Sequence, residues 1–238
     1  MLFESYPADR ILQALASENN LAETAFLVPD GGDFRIRWFT PTVEVPLCGH
    51  ATLASAAVVL ERLDRTRGQV VFHSASGRLT VRRSELGYAM DFPLRHCEPA
   101  EEPAGLAEAL GTLIEETMWD GFNFVVRIAT ADDVRALSPD LAFVARLPCA
   151  GVIVTAPGDG EYDCVSRYFA PGKGIPEDPV TGGAHCALTP YWAARLGKNE
   201  IRAFQASARG GELRCRLQGD RVELEGSCVF YLEGIAEW

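Results

Sequence analysis

Residues suited to anion binding lie in a short segment that occurs twice in this chain. Residues 44–51 read EVPLCGHA, and residues 177–184 read EDPVTGGA. In each copy glycine opens an alanine-rich apolar run that is predicted to be helical. The free N–H groups and the dipole of a helix start favour an anion such as a carboxylate, and glycine lets it approach the backbone closely. The residues predicted to bind it are Gly49, Ala51, Gly182 and Gly183.

Four further side chains could take part in proton transfer. His50 lies beside the first helix start, where an imidazole could bind a carboxylate or pass a proton, although a single histidine is more often structural. Asp178 precedes the second helix start and is either an N-cap or a site residue. Cys48 supplies a thiol, and Glu23 is, by periodicity alone, an ordinary solvated or capping residue. The sequence contains neither a glycine motif for phosphate nor the Cys/His/Asp spacing of a metal centre, so neither site is predicted.

The repeat also extends upstream of these segments. Residues 37–41 read RWFTP and residues 167–171 read RYFAP. The two copies are offset by 130 residues in this upstream element and by 133 in the segments described above, so the second loop is three residues longer. We therefore expect the chain to fold as two related halves, with a ligand held between them.

Each half combines alternating strand segments with one very apolar helix, predicted at residues 49–60 and 184–196. A helix that is apolar on all faces must be enclosed by other elements. The predicted fold class is therefore α+β, with two pseudo-symmetric domains, each a curled antiparallel or mixed sheet around a central helix. A segment rich in proline and glutamate at residues 96–104 divides the predicted domains into residues 1–98 and 99–227.

Composition excludes several classes of protein. The 238 residues carry a formal net charge of −11 without a Lys/Arg cluster, which argues against nucleic-acid binding. The longest apolar run, at residues 51–60, is too short to cross a bilayer, and no secretory signal opens the sequence. The seven cysteines lie singly, as is typical of reduced thiols, so we expect a cytoplasmic protein without a membrane partner.

Taken together, several segments of the chain resemble the PhzF family of phenazine-biosynthesis-type isomerases. The segments are residues 20–26, 39–41, 49–52, 76–77, 169–171 and 177–182. The resemblance implies a diaminopimelate epimerase-like fold with the site between the two domains, and a last strand, within residues 228–238, that returns to the first domain. It also implies an isomerase that moves a proton within a small carboxylate-bearing substrate, needs no metal or organic cofactor and is commonly a homodimer.

Residue by residue, the resemblance assigns the acid/base of this reaction to Glu23. His50 and Asp178 would hold an amine or hydroxyl of the substrate and assist the transfer. Gly49 belongs to the same Gly-His motif, and Ser76 falls in another of the matching segments, so both are expected to bind substrate.

Two departures from the family pattern stand out. Gly183 takes the place of a serine, which removes a hydroxyl from the anion site and puts the phenazine precursor in doubt as substrate. The chain also begins just after the position of the family's leading strand, so that strand is expected to be absent or not represented in this sequence. If it is missing, the edge of the first sheet is open.

Two alternatives stay open. In cysteine-dependent epimerases of the same fold a thiol precedes each central helix, whereas here Cys48 occupies the first position and Thr181 the second. Racemisation by two thiols is therefore not expected, but an elimination that uses Cys48 alone is one alternative. A non-catalytic protein that binds a small ligand is the other.

Overall fold

The computed structural model describes residues 1–235. The first part of the chain contains two helices and six strands, which are α1 (Asp9–Asn19), β1 (Thr24–Asp30), β2 (Asp33–Phe39), β3 (Glu44–Val45), α2 (Gly49–Val58), β4 (Gln69–Ser74), β5 (Gly77–Ser84) and β6 (Gly87–Pro93). Helix α2 continues into a π-helical turn at Val59–Leu63.

The second part is longer than the first. Its elements are β7 (Glu98–Pro99), α3 (Leu106–Leu110), β8 (Glu116–Trp119), β9 (Phe124–Arg127), α4 (Ala131–Ala136), α5 (Leu141–Val144), β10 (Val152–Pro157), β11 (Cys164–Phe169), α6 (Gly182–Leu196), β12 (Glu200–Gln205), β13 (Gly211–Gln218) and β14 (Arg221–Gly226).

The sheet has a symmetrical strand order. It runs β1-β2-β4-β5-β6-β14-β13-β12-β11-β10-β9-β8-β7, with β3 paired to β2. On one side the hairpin β1–β2 leads through helix α2 to β4, which pairs in parallel with β2. On the other side the hairpin β10–β11 leads through helix α6 to β12, which pairs in parallel with β11. The two halves meet where β6 and β14 pair antiparallel, from Tyr88 opposite Gly226 to Pro93 opposite Arg221. An approximate two-fold axis therefore passes between these two strands.

The two central helices are enclosed as their sequences require. Helix α2 packs against β1, β5 and β6, helix α6 packs against β12, β13 and β14, and the two helices contact each other. Leu53, Ala56 and Ala57 of α2 are buried, as are Leu188 and Trp192 of α6. Burial on several faces explains why neither helix is amphipathic. The predicted α+β fold, with curled sheets around central helices, is confirmed.

The layers outside the sheet differ between the halves. Helix α1 covers β1 and β2 through a small cluster that contains Leu12, Phe26 and Phe39. Helix α4 occupies the matching place over β10 and β11, within a larger core that also includes residues of α3 and α5. Among residues 1–235, no helix combines the length and the apolar character that crossing a bilayer requires.

The start of the chain lies at the edge of the first sheet. Residues at the start pair with β1: the Phe3 N–H donates to the Leu27 carbonyl (2.9 Å), and the Leu27 N–H donates to the Met1 carbonyl (2.8 Å). The start of the chain therefore covers the edge of β1 at these positions, and the missing leading strand stays a sequence-based prediction.

At the other end, residues 227–235 lie outside any strand. The strand that pairs with the first half is β14, which ends at Gly226, so residues 228–235 do not form the predicted returning strand. This segment contacts the first half through Arg62, which stacks on Phe230 (4.0 Å) and pairs with Glu233 (3.5 Å). Residues 236–238, included in the same prediction, lie outside the described residues. The domain boundaries after residues 98 and 227 stay a sequence-based prediction.

Candidate active site

The two helix starts lie in contact. Gly49 is the first residue of α2, and Gly182 is the first residue of α6. A Cβ atom added to Gly49 would lie 3.1 Å from the Gly182 Cα, and one added to Gly182 would lie 3.3 Å from the Gly49 Cα. Both distances are tighter than most carbon–carbon contacts, so glycine at each position lets the helices meet end to end without displacement.

This meeting point forms part of the wall of a cavity of about 230 Å³. Most of the residues predicted to form the site line it, namely Glu23, Cys48, Gly49, His50, Ser76, Asp178, Gly182 and Gly183. Ala51 is buried in the first turn of α2 and is absent from this lining, whereas its counterpart Ala184 is present. The Ser76 hydroxyl donates to the Pro46 carbonyl (2.7 Å), so its proton is already used in a hydrogen bond within the protein.

Unpaired N–H groups point from both helix starts. The first intrahelical bonds are donated by the Thr52 N–H to the Cys48 carbonyl (3.2 Å) and by the His185 N–H to the Thr181 carbonyl (3.3 Å). Within residues 1–235, the N–H groups of residues 49–51 and 182–184 have no hydrogen-bond partner. Together with the two helix dipoles they favour an anion at this end of the cavity.

His50 lies between two carboxylates from distant parts of the chain. Its Nε2 is 3.0 Å from Glu23 Oε2, and its Nδ1 is 3.6 Å from Asp178 Oδ1. Nδ1 also lies 2.9 Å from the Val180 carbonyl oxygen, which can only accept, so Nδ1 carries a proton and donates it there. Nε2 faces Glu23 Oε2 at 3.0 Å, where a proton on Nε2 attracts the carboxylate, although the two atoms do not have the alignment of a hydrogen bond.

Two carboxylate oxygens of this group remain available. Glu23 Oε2 and Asp178 Oδ1 are buried and, among the described residues, have no partner with the geometry of a hydrogen bond, despite their proximity to His50. Buried acceptors are normally satisfied, so each of these two oxygens calls for an explanation. Both oxygens are therefore free to accept from a ligand in the cavity.

A network behind Asp178 fixes its other oxygen. The Thr181 hydroxyl donates to Asp178 Oδ2 (2.7 Å). Gln205, at the end of β12, donates to the Asp178 carbonyl (2.7 Å) and accepts from the Thr181 N–H (2.6 Å). This glutamine is fully buried, so one amide side chain orders the loop before α6. Its supporting role was not visible from sequence, because nothing near residue 205 repeats or matches a motif.

The charges of the group depend on one another. Burial by itself lowers the pKa of His50, but its neighbours Cys48, Glu23 and Asp178 outweigh this effect and raise it well above its ordinary value. Burial raises the pKa of the Cys48 thiol to about 11, so the thiol is protonated at physiological pH. Burial also raises the pKa of Asp178 to about 6, against the opposing attraction of His50. The site thus holds an imidazolium beside a carboxyl group that titrates close to neutrality.

Cys48 lies against the imidazole of His50. Its Sγ is 3.8 Å from both ring nitrogens, and an atom at equal distances from both lies on the lone-pair axis of neither. Glu23, Cys48 and His50 do bring three potential metal ligands within 4.8 Å of one another.

Two cations of the cavity were not predicted from sequence. Arg95 follows β6 and stacks on Phe122 (4.7 Å), and Lys173 donates from its ammonium to the Tyr168 hydroxyl (3.3 Å). Lys173 lies in the 3-10 turn Pro171–Lys173, within the loop that carries the three extra residues. That insertion was a usable signal for Lys173, whereas no pattern in the sequence singled out Arg95.

Comparisons with known proteins agree with this architecture. The family model of phenazine biosynthesis-like proteins, PhzC-PhzF, matches residues 1–234. A Pseudomonas aeruginosa protein, named as an uncharacterized isomerase, is 49% identical over 226 residues, which are 95% of this chain and 86% of that protein. A PhzF-family phenazine biosynthesis protein from Enterococcus faecalis has a crystal structure with 40% identity and a TM-score of 0.88, covering 95% of this chain and 86% of that one.

A structure with much lower sequence identity has the same fold. The hydroxyproline epimerase from Agrobacterium vitis has a TM-score of 0.52 at 12% identity and covers 87% of this chain and 74% of that one, which shows a common fold and nothing more. The family model and the close relatives cover nearly all of the chain, including both helix starts and the loops before them. This chain therefore belongs to the phenazine biosynthesis-like (PhzF) family of isomerases.

Proposed function

We propose that this isomerase moves a proton between two carbons of a small carboxylate-bearing substrate, with Glu23 as the group that takes and returns the proton. One observation carries the proposal. Glu23 Oε2 is buried at the cavity, has no hydrogen bond among the described residues and lies 3.0 Å from His50 Nε2. A carboxylate in this position can reach a substrate carbon and exchange a proton with it, with His50 beside it.

The substrate carboxylate binds at the two helix starts. Their unpaired N–H groups and dipoles supply the donors, and the contact between Gly49 and Gly182 brings both starts to one point. Asp178 Oδ1 accepts from an amine or hydroxyl of the substrate, because this oxygen is buried and lacks a hydrogen bond in the described part of the chain. These contacts orient the carbon that loses a proton toward Glu23.

The reaction then needs two proton transfers. Glu23 takes a proton from one carbon, the electron pair of the broken C–H bond moves into the substrate's π system, and Glu23 returns the proton to a different carbon. The positive charge on protonated His50, whose Nε2 lies 3.0 Å from Glu23 Oε2, attracts the Glu23 carboxylate. No electron leaves the substrate, so the balance of the reaction requires no redox cofactor, and we propose that none is used.

Solvent-deuterium incorporation tests this assignment. The protein is incubated in D₂O with a panel of small amino and hydroxy acids, and exchange at carbon is followed by NMR for wild type, Glu23→Gln and Cys48→Ala. We expect exchange that is lost in Glu23→Gln and retained in Cys48→Ala. The reverse result would assign the chemistry to the thiol, as in an elimination by Cys48, whose protonated state at neutral pH argues against that role.

The proposal includes a cytoplasmic location and a homodimer. The seven cysteines are all free in the described structure, as is usual in a reducing compartment. Val229, Tyr231, Leu232 and Ile235 are almost fully exposed, which is typical of a segment that a second copy covers. Light scattering of the purified protein measures the assembly directly, and a monomer at all concentrations would contradict the homodimer.

A further inference from the structure

We propose that Arg95 binds the substrate carboxylate at the start of α6 and thereby makes the site selective for a carboxylate over an uncharged group of the same shape. The inference rests on the proposed function, since it names the residue that recognises the carboxylate in that reaction. No sequence motif singled out Arg95, and it acts here as a binding residue.

The backbone holds Arg95 beside the first turns of α6. Its N–H donates to the Cys186 carbonyl (3.0 Å), and Cys186 is the fifth residue of that helix. A Cβ atom added to Gly183 would lie 3.7 Å from Arg95 Nη1. The guanidinium therefore reaches the edge of the helix start at the position where the family resemblance has a serine. Glycine leaves the space between the guanidinium and the unpaired N–H groups open to a ligand.

The guanidinium has donors to spare. Among the described residues its side chain makes no hydrogen bond, and its ion-pair contact is Asp120 Oδ2 at 3.6 Å. That carboxylate already accepts from the Phe122 and Asn123 N–H groups (2.9 and 2.6 Å) and from the Asn123 amide (2.9 Å). Because Asp120 is occupied by its own turn, a ligand can engage the fork of Arg95 without displacing a protein hydrogen bond.

The same turn orients the side chain. Asp120 fixes the turn that carries Phe122, and Arg95 stacks on the Phe122 ring at 4.7 Å. A guanidinium whose carbon lies over one ring still has N–H groups that are not used by that contact. The side chain is 24% exposed, so an ion pair formed in the cavity is partly shielded from water and stronger than one on the surface.

The second cation of the cavity is the rival for this role. Lys173 donates to the Tyr168 hydroxyl (3.3 Å), which in turn donates to Asn123 Oδ1 (3.0 Å). Unlike Arg95, Lys173 has a protein acceptor for one of its donors, and it presents a point charge where Arg95 presents a planar fork. We therefore assign recognition of the carboxylate to Arg95.

Binding of paired probes tests the assignment. Benzoate and lactate are compared with their amides, benzamide and lactamide, by ligand-detected NMR titration on wild type, Arg95→Gln, Arg95→Lys and Lys173→Met, with Arg202→Gln as a matched surface control. In wild type we expect each acid to bind more tightly than its amide. Arg95→Gln should weaken binding of the acids about ten-fold or more, as for a lost charge-assisted hydrogen bond, with little effect on the amides. Arg95→Lys should be intermediate, and Arg202→Gln should resemble wild type.

A double-mutant cycle sharpens the test. Because a serine at position 183 would bring a hydroxyl into the space beside Nη1, Gly183→Ser should restore part of the acid binding in the Arg95→Gln background. The proposal is overturned if wild type does not discriminate acid from amide, if no acid binds, or if Lys173→Met rather than Arg95→Gln removes the discrimination. Thermal unfolding of each variant shows whether it folds. If Arg95→Gln does not fold, the binding of acids and amides is compared between wild type and Arg95→Lys instead.

The two proposals fail separately. Glu23→Gln should retain the Arg95-dependent preference for acids, since binding requires no proton transfer. If exchange into substrate proves independent of Glu23 while this preference persists, the proposed function is wrong and the carboxylate subsite stands. If exchange depends on Glu23 but acids bind equally well without Arg95, the subsite is wrong and the proposed function stands.

Discussion

The two helix starts have the same backbone and different side chains. Cys48, Gly49 and His50 open α2, whereas Thr181, Gly182 and Gly183 open α6. In the first copy an imidazole stands at the helix start. In the second copy glycine leaves that position empty, and the guanidinium of Arg95 approaches it from outside the repeat. In the proposed mechanism, the backbone preserved in both copies binds the substrate carboxylate, and the side chains that differ transfer the proton.

The other proposed catalytic groups follow the same rule. Asp178 matches Val45 in the first copy of the repeat. Thr24 pairs with Phe39, and Val152 pairs with Phe169 in the second half, so the counterpart of Glu23 is Gly151.

A Cβ on Gly151 would lie 2.7 Å from the Tyr168 ring, so that position has no room for an acid. Each acid or base therefore exists once, opposite a glycine or an apolar residue in the other half. A two-fold scaffold has become an asymmetric site.

The largest expected effect comes from removing the acid that only the first half supplies. Glu23→Gln should lower kcat by roughly 10²–10⁴-fold, the usual contribution of a general acid/base, with little change in KM. Steady-state kinetics on an exchanging substrate measures this. The matched control is Glu44→Gln, in the same half, because Glu44 pairs with Arg37 on the surface. If both variants lose activity equally, the effect is structural and the asymmetry is not catalytic.

The next effect is on stability and concerns the acid that only the second half supplies. Burial raises the pKa of Asp178 to about 6, above its value in the unfolded chain. Its contribution to stability is therefore fully present below about pH 4 and is lost as the pH rises through about 6. Asparagine does not titrate and can still accept from Thr181, so Asp178→Asn should stabilise the fold at neutral pH while lowering activity.

The size of the stabilisation by Asp178→Asn follows from the raised pKa of Asp178. The free energy of unfolding should increase by an amount on the order of 2–3 kcal/mol above about pH 7, reduced by the lost attraction to His50. The increase should vanish below about pH 4. Urea unfolding of both proteins across this range measures the difference. A gain that does not depend on pH would contradict the buried carboxylate as its cause.

The third prediction concerns what the halves have in common. Gly49→Ala places a methyl group 3.1 Å from the Gly182 Cα, so the two helix starts must separate. We expect a loss of about 1–3 kcal/mol in the free energy of unfolding and weaker carboxylate binding. Gly68→Ala is the control, since a Cβ there meets no atom within 4 Å. Equal stability of the two variants would show that the helix starts do not need to touch.

The smallest effect tests the repeated ion pairs behind the loops. Arg37 forms a two-bond pair with Glu44, and Arg167 forms one with Glu177. The second pair is more buried, and Arg167 also donates to the Leu137 carbonyl. Arg37→Gln should cost up to about 1 kcal/mol of stability, and Arg167→Gln should cost more, since it leaves a buried acceptor unpaired. Thermal unfolding gives the order, and the reverse order would contradict the role of burial.

Local patterns predicted the elements that depend on nearby residues. The apolar runs at residues 49–60 and 184–196 predicted both central helices. Strand β12 has no comparable local signal. Residues 200–205 alternate charged and apolar side chains only briefly, and β12 is stabilised by its pairing with β11 and β13, which no local pattern contains.

By itself the sequence determined that the chain folds as two related halves, because a repeated segment implies repeated local structure, and that glycines open both central helices. The tertiary structure decided which side chains meet. Glu23, His50 and Asp178 are separated by up to 155 residues, and the pairing of β6 with β14 together with the contact of α2 and α6 brings them into one cavity. Arg95 joins them through a contact with α6 that no periodicity encodes. Distances between segments far apart in the chain are set by packing, so the fold decides which charged groups are buried together and how their pKa values shift.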